Sequence, residues 1–139
     1  MQKRELPIWR IWAMRALFFV TFLGLAPSMW GYMLDPGELI DGEVGVGDAY
    51  LTALSTLALL GVRFPQTMLP LLLLQFLYKL LWIGFVGWPL AQAGQIVALE
   101  DDLFMAMAIG VGLDLAIIPW PFVFTRFVRG AFDFRTGQV

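Results

Sequence analysis

Two charged residues lie deep inside apolar stretches of the sequence, where a charge needs a partner. Lys79 stands in the middle of LLLLQFLYKLLWIGF, and Asp114 stands within GVGLDLAIIPW. An unpaired charge at the centre of a membrane helix costs about 2.5–3.5 kcal/mol on insertion scales. Lys79 lies roughly 13 residues (about 20 Å) and Asp114 about 10 residues (about 15 Å) from the same end of the predicted helices. These similar depths predict a Lys79–Asp114 ion pair between neighbouring helices.

Other polar side chains share helical faces with these charges. Gln75, Tyr78 and Lys79 lie at i, i+3 and i+4, which is one stripe of a helix, and Thr52 and Ser55 form a similar stripe on an earlier stretch. We therefore predict an intramembrane polar site made of six residues: Lys79, Asp114, Gln75, Tyr78, Thr52 and Ser55. It has two interpretations, a static pair that fixes helix register, or an ion relay or the polar floor of a substrate cavity.

The residue inventory excludes many kinds of chemistry. The 139 residues include no Cys and no His, so disulfides, zinc thiolate sites, iron–sulfur clusters and His-ligated haem or copper cannot form. Acid–base catalysis would rest on Asp114, Lys79 and Tyr78 alone. The acidic segment Asp35–Glu43 lacks the spacing of a calcium-binding loop. We expect no enzymatic activity, no cofactor and no metal site.

The elements that position these residues are predicted to be membrane helices. Hydrophobic residues make up 60% of the chain and charged residues 14%, whereas a soluble domain is about half apolar and about a quarter charged. A membrane helix needs about 20 apolar residues, and four stretches qualify or nearly qualify. The sequence predicts an all-α, four-helix transmembrane bundle in one domain covering residues 1–139. Its helices are expected at about residues 8–33, 46–62, 66–86 and 102–124.

Polar residues and short turns predict several helix ends. Asp48 is expected to cap the second helix by accepting hydrogen bonds from free backbone N–H groups. The turn Gly61–Pro65 is so short that it predicts a hairpin between two antiparallel helices. Glu100, Asp101 and Asp102 suit the positive end of the dipole of the fourth helix.

Prolines are expected to interrupt or bend the helices. Pro27 should kink or loosen the first helix, whereas Pro70 falls in the first turn of the third, where proline is tolerated. The third helix is expected to end before Gly87-Trp88-Pro89. Pro119 and Pro121 are expected to weaken the last turn of the fourth.

The distribution of charge predicts how the chain is oriented. The basic residues avoid Asp35–Asp48 and Trp88–Asp102, and these two segments hold eight of the eleven acidic residues. Lys and Arg are retained in short loops on the cytoplasmic side of a membrane. We therefore expect both termini and the turn at Arg63 to be cytoplasmic, and the two acidic segments to lie on the opposite side.

Several residues are expected to contact lipid. Arg126 and Arg129 lie among phenylalanines near the C-terminus, and each charge near an anionic surface gains about 1 kcal/mol. Arg15 lies just inside the first apolar stretch, and its long side chain can reach the headgroups. Tryptophans near helix ends are typical of membrane interfaces, and five occur at such positions: Trp9, Trp12, Trp30, Trp88 and Trp120.

Short motifs occur together in the second half of the chain. They are Gly61-Val62-Arg63-Phe64-Pro65, then Met68-Leu69-Pro70-Leu71-Leu72, then Lys79 with Trp82, and finally Ile118-Pro119-Trp120. The combination resembles a pattern that recurs in small uncharacterised bacterial four-helix integral membrane proteins. The resemblance implies a multi-pass protein of the bacterial inner membrane and implies no activity. Where that group has an acidic residue near position 75, this chain has Gln75.

Two classes of function follow from these features. The first is an accessory or structural subunit, or a binding partner, within a larger membrane assembly, which suits small size and short loops. The second is a small transporter or channel that uses the Lys79–Asp114 polar site; four short helices enclose little space, so it would be a homo-oligomer. The expected partners are membrane lipids and another membrane protein or further copies of this chain. No nucleic acid is expected, because no isolated basic patch with interleaved aromatics suggests nucleic-acid binding, and the C-terminal arginines among phenylalanines are interpreted as lipid-facing.

Overall fold

A computed structural model describes residues 6–35, 42–98 and 100–130. All regular secondary structure in these three ranges is helical. Three parts of the predicted charge pattern lie outside the described residues: the N-terminal Lys3 and Arg4, the C-terminal Arg135, and residues 36–41 of the first acidic segment.

The first two helices form an antiparallel pair. Helix α1 spans Ile8–Leu34 and helix α2 spans Gly42–Arg63. Gly61, near the end of α2, lies against the ring of Phe18 in the first half of α1, and a Cβ at Gly61 would overlap that ring. Glycine at position 61 therefore leaves room for the Phe18 ring where the two helices pack. Helix α1 continues through Pro27 to Leu34.

The start of α2 corrects one prediction. The helix begins at Gly42, so Asp48 lies in its second turn and does not cap its N-terminus. The backbone carbonyl of Asp48 instead accepts a hydrogen bond of 2.7 Å from Thr52 Oγ1. Gly45 and Gly47 lie within α2, and glycine is frequent in membrane helices.

The third helix is longer than predicted and changes its hydrogen-bond pattern. Helix α3 spans Leu69–Trp82 with Pro70 in its first turn, and begins three residues later than expected. A π-helical turn, Ile83–Gly87, joins it to helix α4, Trp88–Gln92. The predicted end before Gly87 is wrong, because the N–H of Trp88 donates to the carbonyl of Ile83, five residues back. Pro89 follows this π-turn in the first turn of α4, where proline is tolerated.

The last of the predicted helices is broken at a proline. Helix α5 covers Asp102–Ile117 and helix α6 covers Trp120–Val123, followed by a π-helical segment, Phe124–Arg129. The two parts are bent by 71°, so the predicted continuous helix 102–124 is wrong. Asp101 caps α5 and accepts a 2.7 Å hydrogen bond from the backbone N–H of Phe104, as the acidic cluster suggested.

A tryptophan replaces one of the hydrogen bonds lost at this break. In an unbroken helix the carbonyl of Leu115 would accept from the N–H of residue 119, which is proline. Instead, the indole Nε1–H of Trp120 donates to that carbonyl at 2.8 Å. The ring of Trp120 also packs edge-to-face against Phe76, with centroids 5.2 Å apart.

The described helices are long and apolar enough for a membrane protein. Three of them, Ile8–Leu34, Gly45–Arg63 and Leu69–Gln92, could each cross a bilayer, and the bent pair of α5 with the α6 segment could form a fourth span. The apolar core lies at one end of the bundle, among the start of α1, the end of α2, the start of α3 and the junction of α5 with α6. Its most buried residues include Met14, Phe18, Ala58, Leu69, Leu72 and Ile118.

Candidate functional site

A layer of polar residues lies directly beyond the apolar core and connects three helices. Gln75 is three residues after the core residue Leu72 on α3, and Asp114 is four residues before Ile118 on α5. Helical spacing therefore places both polar side chains about one turn deeper in the bundle than the core residues. Gln75 is 2% exposed and Asp114 is completely buried.

The predicted pair of charges is present. Lys79 Nζ lies 2.9 Å from Asp114 Oδ2, and the two residues link α3 to α5. It is the only ion pair among the residues that the structure describes. The Lys79 side chain is 12% exposed, whereas that of Asp114 has no exposed surface.

Gln75 completes the environment of the carboxylate. Its Nε2 donates to Asp114 Oδ1 at 2.9 Å, so each carboxylate oxygen accepts a hydrogen bond from α3. Gln75 and Lys79 are four residues apart and share one face of α3, which is why both side chains reach the same partner. Charge-assisted hydrogen bonds of this kind are about twice as strong as neutral ones.

Thr21 extends the network to α1. Its Oγ1 lies 2.9 Å from Gln75 Oε1 and also 2.9 Å from the carbonyl of Leu17. The hydroxyl has a single proton, which it can donate to either oxygen. The chain of contacts therefore runs from Thr21 through Gln75 to Asp114 and Lys79, across α1, α3 and α5. We call these four residues the polar chain.

The Lys79 side chain reaches Asp114 by passing over Gly110. A Cβ on Gly110 would stand 2.8 Å from Lys79 Nζ, 3.0 Å from Cε and 3.1 Å from Cδ. The lysine side chain therefore crosses α5 directly over this glycine, one turn before Asp114. The sequence indicates a small-residue face at Gly110, but not that it accommodates a charged side chain rather than a helix backbone.

The structure does not join the remaining predicted site residues to the polar chain. Thr52 Oγ1 donates to the carbonyl of Asp48, and Ser55 Oγ donates at 3.0 Å to the carbonyl of Thr52. Both hydroxyls are thus satisfied within α2. Tyr78 packs edge-to-face on Tyr50, with ring centroids 5.9 Å apart.

Thr21 is the member of the polar chain that is not among the six residues of the predicted site. A threonine in a helix can satisfy its hydroxyl with a carbonyl of the preceding turn, so its type and position give no sign of a long-range partner. Thr52, which we did predict, uses only that local bond among the described residues. The two threonines differ in which neighbouring helix lies against them. A single sequence does not specify how the helices pack against one another.

The predicted lipid-contacting arginines lie after the bend between α5 and α6. Arg126 and Arg129 are exposed and belong to the π-helical segment after α6. The Arg126 guanidinium lies 5.7 Å from the ring centroid of Phe122 and 5.9 Å from that of Phe127. Aromatic rings beside a cation suit the polar–apolar boundary of a bilayer.

The polar chain has a limited chemical repertoire. Among the described residues, no group of three or more acidic side chains is placed to hold a metal ion. Both oxygens of Asp114 and both ends of the Gln75 amide are occupied by one another or by neighbours. The arrangement can hold three helices in one register, and any proton or ion transfer would first require one of these contacts to open.

Comparison with known proteins adds no assignment. The chain matches no family model, no curated protein and no solved structure.

Proposed function

We propose that this chain is a multi-pass protein of the bacterial inner membrane that acts as a small accessory or structural subunit of a larger membrane assembly. In this proposal the bent α5–α6 pair is the fourth span, and both termini and the Arg63 turn face the cytoplasm. The orientation rests on the distribution of Lys and Arg. Because the chain has no Cys, single Cys residues at positions 63 and 95 would test it through labelling from each side.

One observation carries the proposed role: the buried groups of the polar chain satisfy one another. Asp114 is completely buried and accepts two hydrogen bonds, from Gln75 and Lys79. A transport site must exchange ions or protons with water, whereas a satisfied buried network makes helix packing specific. We infer that the polar chain holds α1, α3 and α5 together. A partner protein would then bind to the outer surface of the bundle.

The outer face of α5 offers a surface for a partner helix. Ala108, Gly112 and Ala116 lie four residues apart, and Gly112 has no atom within 4 Å of the position that a Cβ would take. Small residues at this spacing allow two membrane helices to approach closely. The face supports association with another membrane helix.

The first test asks whether the ion pair is structural. Lys79→Met alone leaves a buried carboxylate without its cation and should destabilise the protein by about 3–5 kcal/mol. The double variant Lys79→Met/Asp114→Asn should recover most of this loss and keep cellular function, because Asn still accepts from Gln75. Unfolding in detergent measures the coupling free energy. A stable double variant without function would contradict the structural role.

The second test asks for the partner. Gentle extraction followed by native mass spectrometry should give a complex of fixed stoichiometry containing a second membrane protein. Gly112→Leu should dissociate it, whereas Gly24→Leu, the matched change on the exposed face of α1, should not. A homogeneous monomer from native membranes would contradict an accessory role.

A small homo-oligomeric transporter or channel is the second candidate. The Lys79 side chain is 12% exposed, so the cation at the end of the polar chain is not fully closed off. In this alternative, a second copy of the chain would complete a path past Lys79. Ion or proton flux in proteoliposomes that Lys79→Met abolishes, with the folded oligomer retained, would favour transport over the accessory role.

A further inference from the structure

An open groove lies between α1 and α2 at the basic end of the bundle. It has a volume of about 670 Å³, within the range of about 300–1,000 Å³ that is typical of small-molecule sites. Its walls come from one face of each helix: Trp12, Arg15 and Phe19 on α1, and Leu59, Val62 and Arg63 on α2.

The groove changes from polar to apolar along its length. Arg15 and Arg63 lie towards the end of the bundle where α1 begins and α2 ends. Phe19 and Leu59 lie one turn further in, and both are about half exposed. A molecule with an anionic head and a hydrocarbon tail matches this gradient when its head faces the arginines.

The two arginines have no opposite charge to bind. The residues that line the groove include no acid, and neither arginine forms an ion pair with a residue that the structure describes. Arg15 Nε is buried, and no acceptor among the described residues lies within hydrogen-bond distance of it. The Arg15 guanidinium lies 4.9 Å from the ring centroid of Trp12, which holds it at the groove instead of free in solvent.

We propose that this groove is a binding site for an anionic phospholipid. The phosphodiester accepts hydrogen bonds from the guanidinium groups of Arg15 and Arg63, each of which can donate two N–H groups to phosphate oxygens, and one acyl chain lies along Phe19 and Leu59. This inference rests on the membrane arrangement proposed above, but not on the accessory role. It differs from general attraction to a charged surface, because one defined lipid would remain bound after detergent extraction.

The test uses purified full-length protein in a neutral detergent, titrated with phosphatidylglycerol and followed by native mass spectrometry. Removing one arginine should lower the affinity about fivefold. Arg15→Gln/Arg63→Gln should therefore lower it about thirtyfold. The matched control, Arg10→Gln, removes one charge from the same end of α1 at a residue that does not line the groove, and should change the affinity less than twofold.

Two further titrations distinguish an anionic phospholipid from a neutral lipid and from free phosphate. Phosphatidylcholine should bind at least tenfold more weakly, and inorganic phosphate should not compete, because it lacks the tail. Equal losses in the groove and control variants, or equal binding of both lipids, would overturn the proposal. Circular dichroism verifies folding of each variant, and if Arg15→Gln misfolds, the exposed Arg63→Gln alone still decides the outcome. Carbonate extraction tests the membrane arrangement separately.

Discussion

Replacing Gly110 with alanine gives the most direct test of the contact between Lys79 and α5. The new Cβ would lie 2.8–3.1 Å from three consecutive atoms of the lysine side chain. Because unstrained carbon contacts begin at about 3.5 Å, the side chain must move by roughly 0.5 Å. Its end is held by Asp114 at 2.9 Å, so the movement either lengthens the ion pair or forces an unfavourable rotamer.

Gly112→Ala is the matched control for this change. It lies on the same helix, and its Cβ would meet no atom within 4 Å. Both substitutions gain the same backbone contribution of up to about 1 kcal/mol from replacing glycine in a helix. Because this contribution is the same for both substitutions, the difference in stability between the two variants measures only the steric clash with Lys79. Gly110→Ala should therefore be less stable than Gly112→Ala by about 1–3 kcal/mol.

The assay is reversible unfolding of both variants in one detergent, repeated in a background where the contact is absent. Lys79→Ala/Asp114→Asn provides this background, because it removes the crossing side chain and leaves a neutral acceptor for Gln75. There the two alanine variants should have equal stability. If the two alanine variants still differ in stability in this background, the contact between Gly110 and Lys79 is not the cause. Equal stability of the two variants in the natural sequence would also refute the contact.

Two other changes test individual helix ends. Trp120→Phe keeps an aromatic ring beside Phe76 but removes the donor to the Leu115 carbonyl, and unfolding measurements should show a loss of about 0.5–1.5 kcal/mol; unchanged stability would mean that water satisfies this carbonyl equally well. Asp101→Ala removes the cap of α5 and should cost about 0.5–2 kcal/mol, whereas Asp101→Asn should retain most of the stability. An equal loss in both Asp101 variants would show that capping is not the cause.

The contact between Lys79 and Asp114 could be predicted because an unpaired charge is costly inside a membrane. Only Lys79 and Asp114 lie mid-helix at similar depth, and the cost of an unpaired charge requires that they meet. Gln75 followed from helical spacing, since it lies four residues before Lys79. Thr52 and Ser55 were placed in the same site for their polarity, but hydroxyls can be satisfied by their own helix. Polarity alone therefore identified buried groups without identifying their partners.

The effect of each proline on its helix is the part of the fold that the sequence predicts least well. Helix α1 runs through Pro27, Pro89 lies in the first turn of α4 directly after a π-turn, and α5 ends before Pro119 with a bend of 71°. In each case the proline removes one donor, and the outcome depends on what else can satisfy or tolerate the free carbonyl. At Pro119 a neighbouring indole does so, and its position is determined by packing between helices.

The separation of 35 residues between Lys79 and Asp114 has a consequence for how the chain enters a membrane. At about 5–20 residues per second, the ribosome needs about 2–7 s to synthesise that length. During this interval α3 must insert with a lysine whose counter-ion does not yet exist. Helices α1 and α2 are already made by then, and Thr21 can bind Gln75 before Asp114 arrives. Membrane insertion of α3 should therefore depend on the completed α1–α2 pair, and the ion pair should form last, when α5 enters and fixes the register of the bundle.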